Sequence, residues 1–232
     1  MGCGKTVQVM SLLAALFEKT GTGLDLQKME RRKVEVRKQL DDRKRRQDEA
    51  LVQGRIWNPA GASTRLTEPQ VQELQLPAQW WPVLIVVPPT LMENWRQEFG
   101  QFTHFEVACF DEKGKEEALR QVSSGMAEVM LMKRSSFQSE ADFRAINSAA
   151  VQWKLVVIDE FHAYFKNVKG HCSKNLRKLK AAHEASVLGM TGTLMQNNHK
   201  ELWNLVDLVE TGLLGDWPSF KIRVGVPIMH AR

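Results

Sequence analysis

Three short segments of the sequence carry residue types, at a spacing, that could do chemistry. Gly4–Thr6 (GKT) is the tail of the phosphate-binding pattern G-x-x-x-x-G-K-[ST], although the front half of that pattern is missing. Asp159 and Glu160 stand side by side directly after the apolar run VVI, and His162 follows two residues later. In the third segment, Thr191–Thr193 (TGT), two hydroxyl side chains flank a glycine. Together they predict a site for phosphate groups and a divalent cation.

The first six residues, MGCGKT, have three interpretations that exclude one another. Gly2 and Thr6 fit the N-myristoylation pattern M-G-x-x-x-[ST], and Cys3 beside them could take a second acyl chain. Lys5 followed by the apolar run 7–17 also matches a secretory signal peptide. The third interpretation is a phosphate-binding loop that leads into a helix. The rest of the sequence has to decide between them.

The adjacent acids follow a fully apolar run, which is typical of a strand buried in a parallel sheet. Such sheets bind ligands at the carboxyl ends of their strands, where Asp159 and Glu160 are expected to lie. One acid can hold a water-coordinated Mg²⁺ while the other polarises an attacking water. An acidic pair alone is more often a solvated turn, but the G-K-T segment upstream reverses that preference. The T-G-T segment suits a loop between a nucleotide site and a moving neighbour, although it also makes an ordinary turn.

The elements that must position these residues are visible as a regular alternation. Short apolar runs occur at 83–87, 106–110, 128–132, 154–158 and 186–190. Helix-like stretches lie between and after them at 91–99, 114–123, 139–147, 173–184 and 199–209. Strands that are apolar on both faces and alternate with helices predict an α/β fold, a parallel sheet covered on both sides. A further helix is predicted over 7–18, where apolar residues recur at helical spacing.

Residues 21–80 interrupt this alternation and are predicted to be a charged, largely irregular insert. Residues 27–49 are nearly all charged and form either a solvated helix with i,i+4 pairs or a disordered segment. Their basic run 43–46 is flanked by acids, so a solvated charged face is favoured over a nuclear address or a nucleic-acid patch. The predicted organisation is therefore 1–20, the phosphate-loop stub and its helix; 21–80, the insert; and 81–232, the remaining lobe.

Composition narrows the class of protein only a little. A net charge of +5 over 232 residues favours an anionic partner weakly. The three cysteines are far apart and include no C-x-x-C pair, which argues against a disulfide framework and fits a reducing compartment. No apolar stretch reaches the roughly 20 residues that a membrane span needs. The histidines and cysteines have no zinc-binding spacing, and no G-x-S-x-G hydrolase motif occurs.

Taken in order, these segments resemble the first ATPase lobe of Swi/Snf-type proteins, the helicase-like DNA translocases of superfamily two. MGCGKTVQV resembles motif I, LIVVPPTLMENWRQEF motif Ia, WKLVVIDEFH motif II and MTGTLMQNNHKELWNLVDLV motif III. The later stretch GLLGDWPSFKIRVGVPI is also similar to the family. The subgroup that it resembles most is the excision-repair, Cockayne-syndrome-B-like branch. On this resemblance the start is a phosphate-loop stub, and its match to lipidation and signal patterns is accidental.

The resemblance implies roles for individual residues and implies ATP and Mg²⁺ as cofactors. Lys5 would contact the β- and γ-phosphates and Asp159 would hold Mg²⁺, while Glu160 would act as general base. Trp95 is expected to be a core residue rather than a base-stacking one. Gly2, Cys3 and Gly4 would cradle the phosphates, and Thr6 would bind Mg²⁺. Coupling to lobe movement would involve His162, Thr191, Gly192, Thr193 and Gln196. The DNA backbone would be contacted by Pro88, Pro89 and Thr90.

The resemblance also implies parts that this sequence lacks. A RecA-like P-loop lobe of three αβα layers normally has a first strand that feeds the phosphate loop, and a partner lobe that supplies arginines to the hydrolysis site. An arginine of that kind raises turnover by about 10³- to 10⁵-fold in related NTPases, so little turnover is expected from this chain alone. Phe161 stands where Gly or Ala is usual, and Leu194-Met195 replace Pro-Leu. Residues 132–134 replace a Thr-Thr-Tyr element, and 163–167 lack an arginine.

Three functions remain open on the sequence, and one of them, a lipid-anchored protein, requires acylation of Gly2. The first is the amino-terminal ATPase lobe of a DNA-dependent, ATP-hydrolysing translocase of duplex DNA. It would act in chromatin remodelling or repair in the nucleus, with chromatin or repair proteins as partners and no membrane. The second is a non-catalytic single lobe that holds DNA or a protein without turnover.

Overall fold

The computed structural model describes residues 4–56, 81–148, 151–193 and 199–226. Five strands form its centre: β1 (Val83–Val87), β2 (Val107–Phe110), β3 (Val129–Lys133), β4 (Leu155–Ile158) and β5 (Ser186–Gly189). The helices are α1 (Lys5–Leu16), α2 (Gly23–Ile56), α3 (Met92–Phe102), α4 (Lys115–Ser123), α5 (Arg134–Gln138), α6 (Glu140–Ile146), α7 (Phe161–Phe165), α8 (His171–His183), α9 (His199–Val209) and α10 (Trp217–Phe220). A 3₁₀ turn spans Pro89–Leu91, and a π-helical turn spans Lys221–Gly225.

The strands form one parallel sheet in the order β2-β3-β1-β4-β5. The register is continuous across the centre, where Ile85 pairs with Leu131 on one side and with Val157 on the other. Every residue of β1 and β4 is buried, because helices cover both faces. The five apolar runs of the sequence are therefore the five strands, and the predicted α/β fold is confirmed.

Alternate residues of each strand enter two separate cores. Leu84 and Val86 point into the core that helices α4 to α9 close. Val83, Ile85 and Val87 point the other way, against α1 and α3. The result is the three-layer αβα arrangement that the sequence predicted. No helix in the described parts of the chain is long and apolar enough to cross a membrane.

Helix α2 realises the first of the two alternatives for the charged segment, a solvated helix. Its Arg45 pairs with Asp42 at 3.1 Å, and both side chains are exposed, as expected for a charged face. Residues 57–80 lie outside the described part of the chain. The division into 1–20, 21–80 and 81–232 stays a prediction.

The base of α2 is held at the amino-terminal edge of the sheet by a buried carboxylate. Glu128 has a side chain that is only 1% exposed, and it accepts hydrogen bonds from Lys19 Nζ at 2.9 Å and Arg32 Nη1 at 3.0 Å. Its other oxygen accepts the backbone N–H of Glu106 at 2.8 Å. These four residues, called the Glu128 cluster below, join the end of α1, the start of α2 and the sheet.

Candidate functional site

The amino terminus of α1 supplies the first component of the site. Gly4 has the left-handed backbone conformation, with φ of 61°, which glycine adopts without strain. Lys5 and Thr6 follow in the first turn of α1, and no acidic residue lies in that turn. A helix start directs free N–H groups and a partial positive charge outward, so this end favours an anion. Gly2 and Cys3 lie outside the described residues.

The acidic pair forms a tight turn at the carboxyl end of β4. Asp159 N–H donates to Val86 O at 2.9 Å, and Phe161 N–H donates to Met190 O at 2.8 Å. The turn is thereby tied to the neighbouring strand β1 and to the residue that follows β5. Glu160 between them has φ of 50°, a left-handed conformation that is uncommon for a residue with a side chain. Such backbone strain persists only where the surroundings impose it, and it occurs most often at functional sites.

Lys5 faces both acids across the sheet edge. Its Nζ lies 2.9 Å from Glu160 Oε1 and 4.0 Å from Asp159 Oδ1. The side chains of Lys5 and Glu160 are each 34% exposed, so a ligand can reach the pair from solvent. The predicted phosphate-binding lysine and the predicted acids therefore meet in space, although 155 residues separate Lys5 from Glu160 in the sequence.

Asp159 is more enclosed, with a side chain that is 7% exposed. Its Oδ2 accepts the indole N–H of Trp95 at 3.1 Å, and its Oδ1 accepts the backbone N–H of Glu160 at 2.9 Å. Trp95 is buried, as predicted, but its contact with the acid was not predicted. A buried indole N–H usually finds a hydrogen-bond partner, which is the one sequence signal that could have raised the question.

The oxygens available here fit Mg²⁺. Carboxylates and the Thr6 hydroxyl are hard ligands, and Mg²⁺ is commonly held by one or two carboxylates together with substrate phosphates and waters. The described residues contain no group of three or more His, Cys, Asp or Glu that could hold a metal ion. An ion at Asp159 would therefore depend on nucleotide phosphates for further ligands.

His162 extends the site toward the segment after β5. Its Nδ1 shares a short hydrogen bond with Thr191 Oγ1 and lies 3.6 Å from Glu160 Oε2. Thr191 Oγ1 also donates to Thr193 O at 2.7 Å and accepts the N–H of Thr193 at 3.2 Å. A continuous line of polar contacts thus joins Lys5 to the TGT segment. Gln196, the other predicted coupling residue, lies outside the described residues.

Phe161, an unusual residue at this position of the family pattern, packs directly over Gly189 of β5. A β-carbon on Gly189 would lie 2.3 Å from Phe161 Cδ1, so only glycine fits beneath the ring. The ring is 3% exposed and also contacts Phe165, with ring centroids 5.1 Å apart. The large side chain of Phe161, directly after the two acids, thus fits because Gly189 on β5 has no side chain.

The Pro88–Thr90 turn follows β1 at the same edge of the sheet. Pro88 is buried, whereas Pro89 and Thr90 are exposed. A cavity of about 520 Å³ opens beside it over the ends of β1, β2 and β3. Its lining residues are Pro89, Met92, Glu93, Arg96, Cys109, Asp111 and Lys133. The role of the turn in contacting DNA stays a prediction.

The chain is similar in sequence to a known family and to proteins of known name. A family model described as the SNF2-related domain matches residues 1–232. The DNA excision repair protein ERCC-6-like 2 of Mus musculus is 26% identical over 232 residues, which cover 100% of this chain and 12% of that protein. The DNA excision repair protein ERCC-6-like of Mus musculus is 32% identical over 158 residues, which cover 65% of this chain and 12% of that protein.

A solved structure agrees with these relatives. It is described as the Sulfolobus solfataricus SWI2/SNF2 ATPase core in complex with dsDNA, and it is 25% identical with a TM-score of 0.52. The match covers 65% of this chain and 30% of that one. The chain thus spans only 12% of the length of either curated relative.

Proposed function

We propose that this chain, which belongs to the SNF2-related domain family, is the ATP-binding first lobe of a DNA-dependent ATPase that moves along duplex DNA. Membership of the family confirms the resemblance drawn from the sequence motifs. The observation that carries the proposal is the 2.9 Å contact between Lys5 and Glu160, with Asp159 beside them, at the carboxyl edge of a parallel sheet. The side chains that we propose to bind phosphate and to activate water thus lie within one ligand's reach of each other.

Each residue has a distinct task in this proposal. The amides at the start of α1 and the ammonium of Lys5 hold the β- and γ-phosphates. Thr6 and Asp159 would hold Mg²⁺, partly through water, and a bound ion there would supply positive charge beside the phosphates. Glu160 accepts a proton from the water that attacks the γ-phosphate.

The pairing of Lys5 with Glu160 implies an order in which nucleotide binding precedes the release of Glu160. Lys5 has to exchange a carboxylate partner for phosphate oxygens when a nucleotide enters. Glu160 is then released from the lysine and is free to contact water. His162 lies 3.6 Å from Glu160 and bonds Thr191, so the release is passed to the TGT segment. This is the proposed link between nucleotide state and lobe movement.

Duplex DNA is the proposed track, and the exposed Pro89 and Thr90 are its proposed backbone contacts, whereas Pro88 is buried and its carbonyl oxygen accepts the N–H of Leu91 within the turn. Contacts of this kind set register without reading sequence. The similarity to an ATPase core described in complex with dsDNA supports this assignment. A second lobe would supply the remaining catalytic arginines, in a nuclear protein of repair or chromatin remodelling.

The proposal is tested by two substitutions, Lys5→Ala and Glu160→Gln. Binding of a fluorescent ATP analogue to the 232-residue chain should weaken about 10- to 100-fold in K5A, because a charge-assisted hydrogen bond is lost. E160Q should still bind the analogue. Joined to the second ATPase lobe of a relative, E160Q should lose about 10²- to 10⁴-fold in DNA-stimulated hydrolysis, the usual effect of removing a general base.

Matched controls come from the opposite edge of the sheet. Lys154→Ala and Glu184→Gln make the same chemical changes at exposed positions that precede β4 and β5. They should leave both binding and hydrolysis at the parent level. If K5A and E160Q also behave like the parent, the proposal of an ATPase is refuted, and the alternative of a non-catalytic binding module is favoured.

A further inference from the structure

We infer that Trp95 is a positioning residue for Asp159 and that it ties helix α3, and with it the Pro88–Thr90 turn, to the metal-holding carboxylate. The inference rests on the proposed function, in which Asp159 holds Mg²⁺ and the turn contacts DNA. Its basis is a single buried hydrogen bond between residues that are 64 positions apart.

The two oxygens of Asp159 have different neighbours. Oδ2 faces α3 and accepts the indole N–H of Trp95 at 3.1 Å. Oδ1 accepts the N–H of Glu160 at 2.9 Å and lies 4.0 Å from Lys5 Nζ, on the side where phosphates are proposed to bind. The indole therefore fixes which oxygen faces the nucleotide. Partners of this kind orient metal-holding carboxylates in many proteins.

Trp95 is rigidly held in this role. The residue is 2% exposed and lies in the core against Phe99, with ring centroids 6.1 Å apart. An indole can only donate, so it cannot exchange roles with the acid. Loss of either partner would leave a buried polar group without its hydrogen bond, which is unfavourable, so each partner holds the other in place.

The position of Trp95 on α3 connects two sites. It lies in the first turns of α3, which begins at Met92 directly after the Pro89–Leu91 turn. At 3.1 Å the bond is near the long end of the usual range for N–H···O, so a shift of a few tenths of an ångström along α3 changes its strength. A DNA backbone that moves the turn would therefore alter how firmly Asp159 is held. By linkage, Mg²⁺ and nucleotide would alter DNA affinity to the same extent.

Trp153 provides a matched control. It is fully buried as well, and its indole N–H donates to a backbone carbonyl, Ile146 O, at 2.8 Å. It belongs to the core on the opposite face of the sheet from Trp95. Trp153→Phe removes the same atoms as Trp95→Phe and leaves the nucleotide site untouched.

The experiment measures binding of a fluorescent ATP analogue to the 232-residue chain as MgCl₂ is varied. W95F should raise the Mg²⁺ concentration at half-saturation about 10- to 100-fold, the usual effect of losing a partner that orients a ligand. Its affinity for the analogue in EDTA should equal that of the parent. W153F should match the parent in both. A short DNA duplex should lower the Mg²⁺ requirement of the parent and W153F but not of W95F.

Three results decide the matter. Equal Mg²⁺ requirements in W95F and W153F refute the inference and leave the proposed function standing. Failure of the parent to bind the analogue with Mg²⁺ refutes the proposed function and the inference together. Where W95F does not fold, the parent is labelled with ¹⁵N-tryptophan, and the indole signals are assigned by replacing the other six tryptophans singly with Phe. The Trp95 signal should shift on adding Mg²⁺ to the nucleotide complex while that of Trp153 stays still, and an unmoved Trp95 signal refutes the inference.

Discussion

The packing of Phe161 over Gly189 predicts that a single methyl group on β5 destabilises the lobe. In Gly189→Ala, the new β-carbon would lie 2.3 Å from Cδ1 and 2.8 Å from Cε1 of Phe161. Carbon atoms prefer about 3.5–4.0 Å, so the ring would have to retreat by more than about 1 Å. Its burial and its contact with Phe165 oppose that movement.

The magnitude follows from overpacking. Extra methylenes in a filled core cost about 1–3 kcal/mol. With a urea slope of about 3 kcal/mol/M, the unfolding midpoint of G189A should fall by about 0.3–1 M. Gly100→Ala is the control, because its β-carbon would meet open space on α3, and alanine there should stabilise the helix by about 0.5–1 kcal/mol.

A double-mutant cycle identifies the cause. Phe161→Ala alone should cost about 3–5 kcal/mol, as large-to-small substitutions of buried phenylalanine do. Adding G189A to F161A should then cost nothing further, because the clashing ring is gone, so the two substitutions should couple by about 1–3 kcal/mol. An unchanged urea midpoint for G189A, or a penalty that persists in the F161A background, would refute the packing argument.

Three further predictions concern buried groups outside the site. Glu128→Gln should lower stability by about 3–5 kcal/mol in urea unfolding, because it leaves Lys19 and Arg32 without their buried carboxylate, whereas Glu117→Gln on exposed α4 should leave the midpoint unchanged. Burial lowers the pKa of His183 below its ordinary value of 6.5, so as the pH falls the imidazole takes up a proton in the unfolded chain before it does so in the folded chain. Stability should therefore fall as the pH drops through 6.5, and His183→Phe should remove this dependence. Burial raises the pKa of the Cys172 thiol, so a disulfide reagent at pH 7.5 should modify it slowly in the native chain and rapidly in urea. A midpoint for E128Q equal to the parent, a flat pH profile, or equal thiol rates in both states would each contradict the corresponding argument.

The sheet could be predicted from the sequence because its strands are apolar on both faces. Such runs stand out between polar helices, and strand bounds differed from the prediction by one residue or less. Helices α5 and α7 were missed because five residues are too few to show a helical period. Helix α2 could not be separated from disorder, since its charged residues pair along a helix as readily as they repel in a coil.

The side chains of the candidate site could be picked out from the sequence, whereas the contacts that support them could not. Lys5, Asp159 and Glu160 were predicted as candidates because their residue types follow a loop pattern and a buried strand, and the structure brings them together. The bond from Trp95 and the space beneath Phe161 depend on which side chains the folded sheet brings together, and no local pattern identifies the partner of either residue. The candidate functional groups were therefore visible in the sequence, whereas the groups that hold them were visible only in three dimensions.

The Glu128 cluster gives helix α2 a mechanical property. The helix is held at its base by Arg32 and by Lys33, whose Nζ pairs with Glu106, and Val36 is buried as well. Residues 37–56 extend past these contacts for about 30 Å, given a rise of roughly 1.5 Å per residue. The Glu128 carboxylate that holds Arg32 also holds Lys19, which follows α1, the helix that starts at Lys5. A sideways load on this length of helix would act on the Glu128 cluster, and through Lys19 on the helix that begins at Lys5.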